Sequence, residues 1–309
     1  MRPDLHCIWK LAEGVDFRSS GLFWSVVMVF STGMDTKIRP VADFYERYPI
    51  SSEKILARLR AARGHLDNVT PDELFRYDQD HFGGVPANDA LAGCAQIAKG
   101  SCVVDFCAGL CGPARYFAHR YGADVIGIEL TPSRVKGAAE LTHLVGLQNS
   151  VRVIQASVLQ VPLPDDSMDV VISQDALYHV PDKERALREA FRILKPGGRI
   201  AVTDWIAHRP LADSDKELMG RGMAMSGICM LLRYGELMKK AGFTLYSVED
   251  LSADWGKLLE RPLAMFRKLP ENAQQRLLAI IANRSFVRLG ALVNEGVLGG
   301  ARFSGEKCK

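Results

Sequence analysis

Two stretches of the chain place carboxylates beside loops of small residues. The first is VVDFCAGLCGPARYFA at residues 103–118, where an apolar run includes Asp105, a small-residue loop follows, and Pro113 opens a predicted helix. The second is an apolar run ending at Glu129, seventeen residues after Gly112. A carboxylate at the first position suits a cation, and one at the second can bind the two hydroxyls of a ribose.

The loop after Asp105 discriminates between two classes of ligand. A dinucleotide needs the spacing G-x-G-x-x-G so that its phosphates can approach the backbone at a helix N-terminus. In this chain Cys107 replaces the first glycine, and Asp105 would repel a pyrophosphate. S-adenosylmethionine carries an ammonium and a sulfonium and no phosphate, so these residues favour it. A nicotinamide-dependent oxidoreductase and a non-catalytic binding protein remain as alternatives.

A third polar stretch, SQDALYH at residues 173–179, follows a predicted strand. Asp175 and His179 are candidate catalytic residues, since a histidine can act as a general base near neutral pH. Gln174 could contact the cofactor's methionyl end or a cationic acceptor. The alternatives are a helix-capping role for Asp175 and a purely structural role for His179.

Strand and helix signals alternate from residue 101 onwards, which predicts a parallel sheet flanked by helices in an α/β fold. The predicted strands are 101–106, 124–129, 151–155, 168–173, 199–204 and 243–248.

Around this sheet we expect four further regions. Residues 1–34 are an N-terminal extension whose fold the sequence does not determine, and 1–33 could precede a natural start at Met34. Residues 35–100 form a helical cap or lid, in which Tyr45 either belongs to the lid or packs an amphipathic helix. Residues 101–255 form the ligand-binding domain, with 206–232 inserted as a substrate lid, and 256–309 are helical. The apolar run at 21–30 is too short to span a bilayer, so no stable membrane span is expected.

Composition excludes several classes of protein. The chain has 309 residues, a formal net charge of +3 and seven cysteines. This near-neutral charge argues against a nucleic-acid partner. The odd cysteine count without a C-x-x-C pair argues against a disulfide scaffold or a metal site, and favours a reducing, cytoplasmic location.

With these motifs in order, the chain resembles the class I S-adenosylmethionine-dependent methyltransferases over about residues 75–250. The matching stretches are DFCAGLCG (105–112), GIELTP (127–132), VPLPDDSMDVV (161–171) and LKPGG (194–198). The resemblance implies a Rossmann-like class I methyltransferase fold: a seven-stranded, mostly parallel sheet with helices on both faces and an N-terminal helical lid.

The resemblance also implies S-adenosyl-L-methionine as cofactor. Two departures from the family pattern are the cysteines Cys107 and Cys111 at glycine positions and Ser157 where the family places an aspartate for the adenine. The implied cofactor-binding residues are Asp105, Ala108, Gly109, Glu129, Leu130, Ser157, Val158 and Gln174.

The stretches SQDALYH and GLCGPARY resemble the small-molecule branch, which includes the sarcosine/dimethylglycine and phosphoethanolamine N-methyltransferases. An amine nitrogen is therefore the leading expected acceptor, with sulfur, oxygen and isoprenoid-type carbon acceptors as alternatives. No oligomeric state is predicted. The predicted substrate-binding residues are Tyr77, His81, Arg115 and Tyr178.

Overall fold

Eight strands form one mixed sheet in the computed structural model, which describes residues 39–46, 50–267 and 283–308. The chain divides into two compact units, Met1–Arg39 and Pro40–Lys309, and the sheet belongs to the second. The predicted extension 1–34 lies outside the described residues. The strands are β1 (Cys102–Phe106), β2 (Asp124–Glu129), β3 (Val151–Gln155), β4 (Met168–Gln174), β5 (Leu194–Ala207), β6 (Cys229–Met230), β7 (Phe243–Asp250) and β8 (Leu298–Lys307).

The strand order is β3-β2-β1-β4-β5-β8-β7, with the short β6 paired to β5 beside this path. Strands β1 to β6 pair in parallel, whereas β8 runs antiparallel to both β5 and β7. The order reverses between β1 and β4. In open α/β sheets, ligands bind beyond the carboxyl ends of the strands at such a switch point.

Helices cover both faces of this sheet. Side chains alternate along each strand, so Val104 and Phe106 enter one core cluster and Val103 enters another. The helices are α1 (Arg39–Glu46), α2 (Ser52–Arg63), α3 (Pro71–Leu74), α4 (Gly84–Ala95), α5 (Gly112–Tyr121), α6 (Pro132–Leu144), α7 (Lys183–Ile193), α8 (Asp213–Met223), α9 (Leu231–Lys240), α10 (Ser252–Arg267) and α11 (Asn283–Asn294). The predicted α/β fold, a mostly parallel sheet with helices on both faces, is confirmed.

Local signals explain where several helices begin and end. Thr70 and Glu73 form a capping box at α3. Asp182 caps α7 by accepting the Arg185 N–H at 3.0 Å, and Gly64 ends α2 with φ 83°. These residues satisfy backbone groups that a helix end leaves without partners.

The C-terminal part differs from the expectation. The sequence predicts helix over residues 256–309, but β8 occupies Leu298–Lys307 and pairs with β5 from Arg199↔Glu306 to Ala207↔Leu298. The sheet thus includes a strand from beyond residue 255, where the sequence predicts the ligand-binding domain to end. Glycines Gly299 and Gly300 obscure the strand in the sequence, since glycine weakens a strand signal.

The region 206–232, predicted as an inserted substrate lid, shares two strands with the sheet. It contains the end of β5, α8 and β6. Met219 and Met225 are buried among Trp205 and Trp255, whereas Met230 is partly exposed.

Within the described residues, no helix has the length and apolar character needed to cross a membrane.

Candidate active site

The loop between β1 and α5 contains two cysteines in the left-handed region of backbone space. Cys107 has φ 59° and Cys111 has φ 58°. A non-glycine residue there costs about 1–3 kcal/mol, so the surrounding fold must hold the loop in place. The Ala108 N–H donates to the Ile128 carbonyl at 3.1 Å, which ties the loop to β2. Burial also raises the pKa of both thiols well above the usual range.

Glu129 at the end of β2 joins two loops. Its Oε2 accepts the Gly109 N–H at 2.9 Å, and its Oε1 accepts the Thr131 N–H at 2.7 Å. A Cβ placed on Gly109 would meet no atom within 4 Å, so there is open space beside this contact. The Glu129 carboxylate is thus held in a fixed orientation at the switch point.

Asp105 lies at the same edge and is only 2% exposed. Its Oδ2 has no hydrogen-bond partner among the described residues. Burial, with the nearby charge of Glu129, raises the pKa of Asp105 to about 8. A buried carboxyl group in this state would be stabilised in its charged form by a cation.

The end of β4 contributes Gln174, which is 8% exposed and whose Oε1 and Nε2 both have no partner among the described residues. The Ser157 Oγ accepts the Leu159 N–H at 3.2 Å and can still donate its proton. The Val158 side chain packs in the core, while Leu130 is half-buried.

These observations test whether S-adenosylmethionine fits. Buried polar atoms in native proteins nearly always have partners, so the unsatisfied atoms of Asp105 and Gln174 indicate a polar ligand. Asp105 suits the ammonium, and the fixed Glu129 can accept hydroxyl groups of a ribose with its remaining lone pairs. The residues present therefore fit this cofactor.

Asp175 follows β4 with φ 51° and is 9% exposed. Its Oδ2 accepts the Phe82 N–H at 2.5 Å, and its Oδ1 has no partner in hydrogen-bond geometry among the described residues. Burial raises the pKa of Asp175 to about 7. The alternative role of capping a helix does not apply, because its bond goes to Phe82, far away in the sequence.

His179 ends the 3₁₀ turn Leu177–His179 and is 5% exposed. Its Nδ1 lies 3.0 Å from the Ala224 carbonyl, which can only accept, so Nδ1 carries the proton and donates. Its Nε2 then accepts the Tyr45 hydroxyl at 2.8 Å. Burial lowers the pKa of His179 to about 4, which keeps the imidazole neutral. The sequence leaves Tyr45 between a role in the lid and helix packing, and does not predict this contact, which spans 134 positions of the chain.

Of the three other predicted substrate-binding residues, Tyr178 lies in this turn, His81 is next to the Phe82 that contacts Asp175, and Tyr77 lies elsewhere. The rings of Tyr178 and His179 are tilted by 42°, with their centroids 4.0 Å apart. His81 Nε2 lies 3.1 Å from Gln79 Oε1, and burial lowers the pKa of His81 to about 4. Tyr77 packs with the N-terminal helices beneath the Arg58 guanidinium, so the structure does not bring it to the Asp175–His179 region.

The structure places Arg115, which the sequence predicts to bind substrate, inside the protein. Arg115 is 0% exposed, and its Nη2 donates to Asp78 Oδ2 at 2.8 Å. Its guanidinium therefore already has an internal carboxylate partner, and it is closed to solvent.

Comparison with known proteins identifies the family. A family model described as a methyltransferase domain matches residues 104–202. The 27-O-demethylrifamycin SV methyltransferase of Amycolatopsis mediterranei is 30% identical over 218 residues, which are 68% of this chain and 79% of that protein. The chain belongs to the S-adenosylmethionine-dependent methyltransferases.

Two further relatives of this methyltransferase act on amines by name. Phosphoethanolamine N-methyltransferase 3 of Arabidopsis thaliana is 29% identical over 222 residues, 69% of this chain and 44% of that protein. The methyltransferase thus spans less than half the length of that relative. The sarcosine/dimethylglycine N-methyltransferase of Halorhodospira halochloris is 38% identical over 109 residues, 35% of this chain and 39% of that protein.

Solved structures show the same fold. The phosphoethanolamine N-methyltransferase 2 of Haemonchus contortus, in complex with S-adenosyl-L-methionine, has a TM-score of 0.68 at 22% identity, over 91% of this chain and 62% of that chain. The geranyl diphosphate C-methyltransferase of Streptomyces coelicolor has a TM-score of 0.66 at 15% identity, over 89% of this chain and 99% of that chain.

Proposed function

We propose that this methyltransferase transfers a methyl group from S-adenosylmethionine to a small molecule, with an amine nitrogen as the leading acceptor. The observation that carries the proposal is the neutral His179, held by Ala224 and hydrogen-bonded to Tyr45. A protein that only bound the cofactor would need no base beyond the cofactor edge. A base is useful when the acceptor must lose a proton, as an amine or a hydroxyl does.

The residues at the ends of β1, β2 and β4 would hold the cofactor. When bound, S-adenosylmethionine supplies a methyl group activated on a sulfonium. Asp105 would pair with the ammonium and Glu129 would accept the ribose hydroxyls. Gln174 would hydrogen-bond the methionyl end. The adenine would lie against Leu130 and the backbone of Ser157 and Val158, as the matching family positions imply.

The residues after β4 would hold the acceptor. In its charged form, Asp175 attracts an ammonium group, and its pKa of about 7 leaves about half of it charged at neutral pH. The Tyr45 hydroxyl, which donates to His179 Nε2, would accept a hydrogen bond from the acceptor nitrogen. As that nitrogen gains the methyl group, its N–H proton would pass to Tyr45 Oη while the Tyr45 proton passes to His179 Nε2. The buried setting excludes water and strengthens these interactions.

Two contacts support a role as a lid for the helical region before β1. Tyr45 of α1 contacts His179, and Phe82 contacts Asp175. Closing such a segment over the sheet edge would complete the site.

The relatives support the choice of acceptor in two directions. The names of the phosphoethanolamine and sarcosine/dimethylglycine N-methyltransferases support nitrogen. The 27-O-demethylrifamycin SV methyltransferase and the geranyl diphosphate C-methyltransferase support oxygen and carbon as alternatives.

We also propose a cytoplasmic location. The described cysteines support it because all of them have free thiols, as expected in a reducing compartment: Cys94, Cys102, Cys107, Cys111, Cys229 and Cys308.

The experiment is product analysis by mass spectrometry. The protein is incubated with S-adenosylmethionine carrying a deuterated methyl group and, separately, phosphoethanolamine, sarcosine, dimethylglycine or geranyl diphosphate. A deuterated methyl on one of the amines is expected. Label in geranyl diphosphate alone would replace the amine with a carbon acceptor. No labelled product with these compounds or with a metabolite extract would overturn the proposal.

Tyr45→Phe tests the proton path. This change removes the hydroxyl that bonds His179, so kcat for the methylated amine is expected to fall about a hundredfold or more. Calorimetric affinity for S-adenosylhomocysteine is expected to stay unchanged. Tyr116→Phe is the matched control, because the Tyr116 hydroxyl bonds Asp89 instead. An unchanged kcat for Tyr45→Phe would exclude this tyrosine from the proton path.

A further inference from the structure

Arg115 joins three elements inside the protein. It lies in α5, and its Nε and Nη2 donate to Asp78 Oδ2 at 3.1 and 2.8 Å. Its Nη1 donates to Thr142 Oγ1 at 3.0 Å and approaches the Ala138 carbonyl of α6 at 3.4 Å. Both Arg115 and Asp78 have side chains that are 0% exposed. Such a buried pair holds its elements in one arrangement only if both partners are present.

Asp78 belongs to a segment that we call the strap, residues 77–83. The strap lies directly on the start of α5, since a Cβ on Gly112 would collide with the Asp78 carbonyl oxygen. Gln79 Nε2 donates to Asp78 Oδ1 at 2.7 Å, and Gln79 Oε1 accepts from Asn88 Nδ2 at 2.6 Å. The Gln79 side chain thus extends the ion pair along the strap to α4.

The far end of the strap reaches the acceptor side of the site. The Phe82 N–H donates to Asp175 Oδ2 at 2.5 Å. The Phe82 ring stacks on Trp255 at 4.8 Å and meets Trp205 edge-on at 5.4 Å. The strap therefore connects the first turns of α5, next to the loop 107–111, with the carboxylate after β4.

We propose that Arg115 is a positioning residue: through Asp78 it holds the strap so that the Phe82 N–H stays on Asp175, and it thereby couples the cofactor edge to the acceptor side. The inference rests on the proposed function for the roles of these two sides. Arg115 touches neither ligand, and its effect passes through the strap.

The charge state of Asp175 makes this coupling measurable. The groups facing Asp175 are the Phe82 N–H and Asp80 from the strap, and Thr203 and Asp204 from β5. The Phe82 N–H and the Thr203 hydroxyl lower the pKa of Asp175, although Thr203 falls outside hydrogen-bond geometry, and the two carboxylates raise it. Asp204 is itself paired with Lys183 at 2.8 Å. Loss of the Phe82 contact therefore moves the pKa of Asp175 upwards.

The main variant is Arg115→Lys, which keeps the charge but replaces the planar two-point contact with a single ammonium. We expect kcat for the methylated amine to fall about tenfold to a hundredfold because the site is misplaced. The acidic limb of the kcat–pH profile is expected to move to higher pH. Calorimetric affinity for S-adenosylhomocysteine is expected to change less than kcat. Arg120→Lys, on the exposed side of α5, is the matched control.

Hydrogen-exchange mass spectrometry gives a readout that needs no acceptor. In the parent protein, S-adenosylhomocysteine is expected to slow exchange of the peptide containing Phe82. In Arg115→Lys that peptide is expected to exchange at least about tenfold faster, with a smaller effect of the ligand. If Arg115→Lys does not fold, Gln79→Ala replaces it, since Gln79 is only half-buried and lies on the same path.

The outcomes separate the inference from the proposed function. A parent protein that methylates nothing but shows ligand-dependent strap exchange, lost in Arg115→Lys, refutes the proposed function and supports the coupling. Exchange at Phe82 and an acidic limb equal to those of the parent, even with a lowered Tm, overturn the inference, because Arg115 would then only stabilise the fold.

Discussion

At the scale of single residues, Asp105 determines how cofactor binding depends on pH. Its pKa is raised to about 8 by burial and by Glu129, so the unliganded protein holds a proton there at pH 7. Binding of a cation favours the charged form and releases this proton. Calorimetric affinity for S-adenosylmethionine is therefore expected to rise roughly tenfold per pH unit below pH 8, and to fall again above it as the ammonium of the ligand loses its proton.

Two variants check this expectation. Asp105→Asn removes the titration, so the affinity should be weak and nearly independent of pH. Asp124→Asn, at the opposite end of β2, should keep the dependence of the parent. The raised pKa also has a stability cost. Because the folded-state value exceeds the unfolded one, stability falls as pH rises from about 4 to about 8. An affinity that stays flat from pH 6 to pH 9 in the parent would contradict the role of Asp105.

The sequence identifies the site residues at or just beyond the carboxyl ends of strands, because a polar residue at the end of an apolar run is a local signal. Asp105 and Glu129 lie near the ends of β1 and β2, Asp175 follows β4, and His179 ends the next turn. The strand order brings these strand ends to one edge of the sheet. Tyr45 has no such signal, since its partner lies 134 positions away. The sequence assigns Arg115 to substrate because its position on the helix does not reveal the buried Asp78.

At the scale of elements, strand β8 provides the surface on which the Trp255 ring packs. A Cβ on Gly300 would collide with the Trp255 ring, so only glycine lets this tryptophan lie against the strand. Trp255 in turn stacks on Phe82 of the strap. The two glycines that hide β8 from sequence prediction thus include the residue that its packing requires.

Gly300→Ala is expected to lower the free energy of unfolding by about 1–3 kcal/mol through overpacking. It should also change the tryptophan fluorescence, because Trp255 must move. Gly256→Ala is the control, since its Cβ would make an ordinary contact with Val293 at 3.7 Å and alanine favours a helix. Equal urea midpoints for Gly300→Ala and the parent would show that Trp255 does not need the glycine.

At the scale of the whole molecule, the strand order decides which parts of the chain fold together. Sequence patterns locate β1 to β5 and β7, whose contacts run between neighbouring strand–helix units. They do not locate β8, because it inserts between β5 and β7 although it follows both of them in the chain by many residues. The last strand of the chain, β8, therefore joins β5 to β7 and connects the parallel part of the sheet to its edge strand.

A chain that ends at Val297 tests this order. Without β8, the antiparallel partners of β5 and β7 are absent, and buried β5 side chains such as Val202 lose contact with Phe303. Exposed strand edges promote aggregation, so the truncated protein is expected to be insoluble or to lack a cooperative thermal transition by circular dichroism. The control starts at Met34 and keeps the whole second compact unit with its sheet, so it should retain a cooperative transition. A soluble, cooperative protein ending at Val297 would show that the sheet is stable with β5 and β7 separated, and would support the predicted boundary near residue 255.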